Sequence, residues 1–227
     1  LFRSADLYSE RNDNVKVIHQ ENQWIYASFN NGIAEAKGEY VYILNSDDEL
    51  HENAVACLKE KIFQYDHPDV IWTPIIRIDC DNNRDNCVIR RASSNTLDKI
   101  KEKYCGAHYE VRALWSELFS LGFVHTQANL YKRKLAVEHP FRNDTSIADS
   151  FFNVMIADDI NSCLVASDPI YLHYLFGDDR NASQKYYDNS QMMRDELFLD
   201  YKKLFEKWGM VGEADKRRSE EHTSELQ

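Results

Sequence analysis

No run of about 18 apolar residues occurs in this chain of 227, so no segment reads as a membrane-spanning helix. The opening residues lack the charged, apolar and small-residue zones of a secretory leader. Positive charge is in deficit: 27 Lys and Arg against 38 Asp and Glu leave a net −11, which argues against a nucleic-acid surface. Five cysteines, an odd number without framework spacing, build no disulfide scaffold and read as reduced thiols of a cytosolic protein. Cys80 and Cys87 flank a polar turn with no second ligand pair beside them, so no zinc site is expected there. With 43% hydrophobic and 29% charged residues, the rest has the composition of one globular domain, with room for a small appendage.

The chain is organised around residues 38–50, Gly-Glu-Tyr-Val-Tyr-Ile-Leu-Asn-Ser-Asp-Asp-Glu-Leu. Residues 40–44 are an unbroken apolar run of strongly β-forming types, the pattern of a central strand covered on both faces. The run ends abruptly in Asn45-Ser46-Asp47-Asp48, placing polar oxygens where a strand's carboxyl end leaves the sheet. Ligands of open α/β sheets bind at that end. Two adjacent carboxylates repel each other, and a hard divalent cation relieves the repulsion while keeping positions open for substrate phosphates. Read alone, the Asp pair favours a solvated acidic turn, and the residues around it shift that balance.

Strand and helix patterns alternate on either side. A helix tail over residues 1–10 is followed by a short strand at 15–19, then a helix over 24–36 with Ile25, Phe29, Ile33 and Ala36 on one stripe and Gly38 as its stop. After the strand at 40–44, Ala54, Val55, Leu58, Ile62 and Phe63 mark another helix, closed by Pro68, and residues 69–78 read as one apolar strand. Such alternation predicts βαβ units on a mostly parallel sheet. Beyond residue 78 the pattern loosens. A polar turn over 79–86 leads into a returning hairpin arm at 87–90, helices are expected over 97–104 and 111–121, and a short strand over 126–130 precedes a short helix over 132–137. A buried helix follows over 147–156, then strands at 163–166 and 170–175 split by Asp168-Pro169. The last native element is a helix with Met193, Leu197, Tyr201, Phe205 and Trp208 on one stripe, which reads as packed against the domain. Residues 218–227, Arg-Ser-Glu-Glu-His-Thr-Ser-Glu-Leu-Gln, resemble the translation of a sequencing-library adapter and are set apart from fold reasoning.

Taken in order, residues 15–50 resemble family 2 glycosyltransferases of the GT-A fold. The likeness lies in Val-Lys-Val-Ile-His-Gln-Glu-Asn-Gln at 15–23, in Asn30-Asn31-Gly32 and in Ala36-Lys37-Gly38-Glu39-Tyr40. Asn45-Ser46-Asp47-Asp48 then falls where that family keeps its Asp-X-Asp signature. Further along, Asn129-Leu130-Tyr131-Lys132-Arg133 resembles the family's strand and helix facing the acceptor. Asp149 sits where the family has Glu-Asp before an aromatic-rich helix, and residues 169–174 are similar to its Pro-hydrophobic-Tyr strand. The resemblance implies an α/β GT-A fold, Rossmann-like, with a mostly parallel sheet flanked by helices over residues 1–185, a helical segment over 186–217, and a first βαβ unit lying upstream of Leu1. Without that unit, half the nucleotide pocket would be absent and the chain is expected to be inactive by itself.

The activity so implied is metal-dependent, inverting transfer of a sugar from a nucleotide-diphosphate donor, UDP-linked, to a glycan or lipid-linked acceptor of cell-surface polysaccharide. The metal, Mn²⁺ or Mg²⁺, neutralises charge on the departing phosphates. Asp47 matches the family's metal-ligating Asp, with Asp48 beside it acting directly or through water; Asn45 stands at the first signature position, able to bond a ribose or a water but carrying no charge. Asn30 belongs to the donor-binding set, and Asp149 matches the base that takes the acceptor's proton, although Ala148 replaces the usual Glu before it. A helix N-terminal carboxylate favoured by the dipole is the competing reading of Asp149. His173 is the candidate for a C-terminal metal ligand, with Asp178 and Asp179 competing for the role; the alternative for His173 is a strand histidine packed beneath the sheet. Phe29 stands where many members have an Arg near the diphosphate, which Arg180 is a candidate to replace, and Trp24 stands where many have Gly. By analogy the protein is cytoplasmic, with peripheral association at the inner face of the plasma membrane. A nucleotidyltransferase and a non-catalytic glycan- or nucleotide-binding relative are the alternatives.

Overall fold

The computed structural model describes residues 2–81, 87–91, 101–120, 128–176, 190–212 and 214–215. The central sheet has five strands in the order β1-β7-β3-β8-β6: β1 (Tyr40–Tyr42), β7 (Leu130–Lys132), β3 (Val70–Trp72), β8 (Cys163–Val165) and β6 (Lys103–Cys105). β7 pairs antiparallel with both β1 and β3, and β3 pairs parallel with β8. β1, β3 and β8 therefore run one way and end on one rim, with β7 wedged between β1 and β3 in the opposite sense. The α/β class is as expected. The pairing is more mixed than a mostly parallel sheet, because the late strand β7 takes the place beside β1 that a second parallel strand would fill.

Side-chain alternation sends successive strand residues to opposite faces, each covered by helices. Val70 and Trp72 of β3, Tyr131 of β7 and Val165 of β8 enter the larger core with Ile33 of α2 (Trp24–Glu35), Trp115 of α4 (His108–Ser120) and Phe152 of α6 (Ala148–Ile156). Tyr201, Leu204 and Phe205 of α7 (Ser190–Lys207) complete that core, and Trp115 packs on Tyr201, Phe205 and Trp208 at ring distances of 5.7 to 6.0 Å. On the other face Ile71, Leu130 and Leu164 meet Ala54 and Leu58 of α3 (Ala54–Gln64). Two short helices, α1 (Phe2–Ser9) and α5 (Arg133–Glu138), complete the described set. Among the described residues no helix is long and apolar enough to cross a membrane.

The apolar stretch 69–78 is two strands, not one. Pro74 has no N–H to give a ladder, so β3 ends at Trp72 and the chain re-enters a second sheet as β4 (Ile75–Cys80). That sheet runs β2-β9-β4-β5, with β2 (Glu49–Leu50), β9 (Tyr171–Phe176) and β5 (Cys87–Arg91). β9 is parallel to β4 and antiparallel to β2. Residues 15–19 form no strand: they join no ladder among the described residues, Lys16 and His19 reach Glu35 and Asp6 instead, and Val15 and Ile18 stay exposed. Within 97–104, residues 97–100 lie outside the described set and Lys103–Cys105 is strand rather than helix, because pairing with β8 overrides local preference. The reading of five reduced thiols is also corrected: the hairpin register sets Cys80 opposite Cys87 and the two are disulfide-bonded, while Cys57, Cys105 and Cys163 are free.

Candidate active site

The turn Asn45–Asp48 follows β1 at the rim where β1, β3 and β8 end, closed by the Asp48 amide donating to the Asn45 carbonyl at 3.2 Å. From there the chain drops directly into β2, whose antiparallel pairing with β9 brings Tyr171, His173 and Tyr174 against the turn.

Asp48 is the hub, and its side chain is fully buried. Its Oδ1 accepts from His173 Nδ1 and from the Tyr174 amide, both at 3.0 Å; its Oδ2 accepts from the Tyr171 hydroxyl at 2.5 Å and from Asn45 Nδ2 at 3.2 Å. Burial alone would raise its carboxyl pKa, but the hydrogen bonds from His173, Tyr171 and Tyr174 outweigh it and hold the group below the usual carboxylate range. With four donors converging on two oxygens, Asp48 has little capacity left for a cation. In this arrangement Asp48 holds Asn45, Tyr171 and His173 in place at the turn.

The arrangement has two products. His173 faces Asp48 through Nδ1, which leaves its Nε2 with no partner among the described residues. A histidine whose far nitrogen donates to a carboxylate is the usual arrangement behind a metal-binding imidazole. Asn45, with its Nδ2 committed to Asp48, holds Oδ1 buried and without a partner among the described residues. A buried orphan acceptor at a ligand-binding rim calls for a donor such as a hydroxyl or water. Asp47, the next residue but one after Asn45 in the turn, is half-buried.

The expected base, Asp149, opens α6 and is tied to the same rim by buried polar side chains. Asn129, wholly buried just ahead of β7, accepts from the Thr73 amide at the end of β3 at 3.2 Å and donates to the Tyr131 hydroxyl at 3.4 Å. That hydroxyl donates to Asn153 Oδ1 at 3.2 Å, and Asn153 Nδ2 donates to the Asp149 carbonyl at 2.8 Å. Burial pushes the Asp149 carboxyl pKa up, with the Ser150 amide and the nearby Tyr26 hydroxyl pulling it part of the way back. An elevated carboxylate is suited to taking a proton. Ahead of α6, Arg142 bonds Glu196 of α7 and Asp144 and lies 4.3 Å over the Phe151 ring, bracing the loop that delivers Asp149.

Two expected contributors have other tasks. Asn30 exchanges two hydrogen bonds of 2.8 Å with the backbone of Phe141, so its amide fastens α2 to the loop before α6 rather than facing a donor. Phe29, in the place of the family's Arg, packs edge-on against Tyr26 and Phe141. Asp178, Asp179 and Arg180 lie outside the described residues. Among the described residues no group of three His, Cys, Asp or Glu side chains is assembled to hold a metal. Asp47 and His173 are two candidate ligands, the number Mg²⁺ commonly takes from protein when phosphates and waters supply the rest. Sequence reasoning did not assign Tyr171, Asn129 or Asn153; the only signal for Tyr171 was its place in the Pro169 strand.

Residues 3–123 match the model of the family described as glycosyl transferase family 2. The chain belongs to that family. Glycosyltransferase GlyG of Streptococcus pneumoniae serotype 4 is 39% identical over 68 residues, 30% of this chain and 23% of that protein. EpsH of Bacillus subtilis is 26% identical over 175 residues, 75% of this chain and 47% of that protein. The chain thus matches less than half the length of either relative. Among solved structures, residues 1–349 of Staphylococcus aureus TarS in complex with UDP-GlcNAc superpose with a TM-score of 0.62 at 15% identity, over 88% of this chain and 53% of TarS 1–349. The complex of the same fragment with UDP gives 0.57 at 17% identity, over 77% and 47%. At such identity the likeness establishes the shared GT-A fold. Family membership lends no support to the nucleotidyltransferase alternative.

Proposed function

We propose that the protein carrying this chain is a metal-dependent inverting glycosyltransferase that moves a sugar from a UDP-linked donor to a glycan or lipid-linked acceptor. The observation that carries the reading is the division of labour at the Asn45–Asp48 turn, where Asp48 is consumed in orienting His173 and Asn45. In this reading Asp47 and His173 Nε2 hold Mn²⁺ or Mg²⁺ together with the donor diphosphate, and Asn45 Oδ1 accepts a hydrogen bond from a donor hydroxyl or water. The metal, when bound, offsets negative charge gathering on the UDP leaving group. Asp149 takes the proton of the attacking acceptor hydroxyl; one base facing one leaving group fits single displacement with inversion. The UDP complexes of TarS support the donor class. The domain limits 1–185 and 186–217 and association with the inner membrane face belong to this proposal.

The test is hydrolysis or transfer by the full-length gene product across a panel of nucleotide sugars with Mn²⁺. Asp47→Ala and Asp149→Asn should each lower kcat by about two orders of magnitude or more. Tight nucleotide binding with no turnover on any sugar would favour the non-catalytic relative.

A further inference from the structure

Asn129, Tyr131 and Asn153 are between 0 and 1% exposed, as is Thr73 at the end of β3. Polar side chains in such places cost stability unless bonded, and apolar residues of similar shape would hold a core at least as well. Asn153 is also a poor interior helix residue, and its amide reaches back to the carbonyl of Asp149 one turn earlier. The relay thus runs from the amide of Thr73, just past β3, through Asn129 and the Tyr131 hydroxyl on β7, to the first turn of α6 where the candidate base stands. Phe152 packs edge-on on the Tyr131 ring at 5.2 Å and sets the spacing of α6 from the sheet, but an apolar contact does not fix the helix's position along the sheet to within a hydrogen bond's tolerance. We infer that Tyr131 and Asn153 are positioning residues: they set the Asp149 carboxylate against the rim that carries Asn45 and Asp47, so that the proton is taken at the right depth above the donor.

This rests on the assignment of Asp149 as base, and the experiment separates the two. The full-length gene product is assayed for Mn²⁺-dependent hydrolysis of UDP-GlcNAc as wild type, Asp149→Asn, Tyr131→Phe, and the double variant Tyr131→Phe/Asn153→Leu. The double variant removes the Tyr131–Asn153 bond as a pair but takes one bond each from Asn129 Nδ2 and the Asp149 carbonyl, so it melts below wild type while staying folded. Its kcat falls about tenfold, the cost expected of a displaced but intact base, while KM for UDP-GlcNAc stays within about twofold. Tyr131→Phe alone, which keeps the ring contact with Phe152, shows a smaller kcat loss in the same direction and serves if the double variant fails to fold. Folded variants with wild-type kcat, or with the loss confined to KM, overturn the inference and leave the base assignment standing. An Asp149→Asn protein with full kcat overturns the base assignment and this inference with it.

Discussion

At the scale of single residues, two adjacent carboxylates of identical type sit in different surroundings. Asp48 is closed in by four donors and Asp47 stands half-buried at the rim, and nothing in Asn-Ser-Asp-Asp says which is which. The distinction is made by β9, some 125 residues further on, which supplies Tyr171, His173 and Tyr174. The folded pKa of Asp48 lies below its unfolded value, so its stabilisation is complete above the ordinary carboxylate range and is lost as pH falls through the folded value. Asp48→Asn should cost about 3 kcal/mol near neutral pH, through two mismatched buried donors, and should flatten the acid side of the stability curve. Denaturant melts of wild type and variant between about pH 7 and pH 3 check this: the gap should narrow as pH falls. Trp24 illustrates the opposite situation. It is 66% exposed at the start of α2 with a φ of +72°, a conformation costly to a bulky side chain and free to glycine. Trp24→Gly should raise stability by about 1 kcal/mol, read as a higher urea midpoint with unchanged slope.

At the scale of elements, the sequence was most legible where apolar runs were bounded by strong local signals. The strand at β1, the helices α2, α3 and α6 and the strand β9 lie where periodicity and stop residues place them. The reading failed where non-local pairing decides. Lys103–Cys105 becomes strand because β8 offers a free edge, and β7 inserts itself between β1 and β3, which no local pattern announces. Pro74 was visible in the sequence, yet the apolar stretch around it masked the passage from one sheet to another. The cysteine reading failed for the same reason, since a hairpin register, not spacing, brings Cys80 to Cys87. The helix α7, expected to lie on the domain, contributes Tyr201, Leu204 and Phe205 to the larger core itself. Phe205 is 1% exposed against Trp115 and Trp208, so Phe205→Ala should cost about 3–5 kcal/mol in a denaturant melt, while a substitution at exposed Leu199 should cost under about 1 kcal/mol.

At the scale of the whole molecule, the architecture gathers chemistry from distant parts of the chain onto one rim: the turn after β1, the end of β3, the start of β7, the opening of α6 and the strand β9. In the proposed reading a chain of net charge −11 meets a substrate carrying a diphosphate, and a cation at that rim would offset their repulsion. Family membership and the GT-A fold follow from the matched residues and the superposition. The assignment of Asp47 as the residue that joins metal to diphosphate is the claim on which the proposed activity stands. The direct measurement is calorimetric titration of UDP into the full-length gene product with Mn²⁺, with EDTA in its place, and with Mn²⁺ in the Asp47→Ala variant. The account predicts binding in Mn²⁺ that weakens by at least about tenfold both in EDTA and in Asp47→Ala. Equal affinity in all three titrations would contradict it.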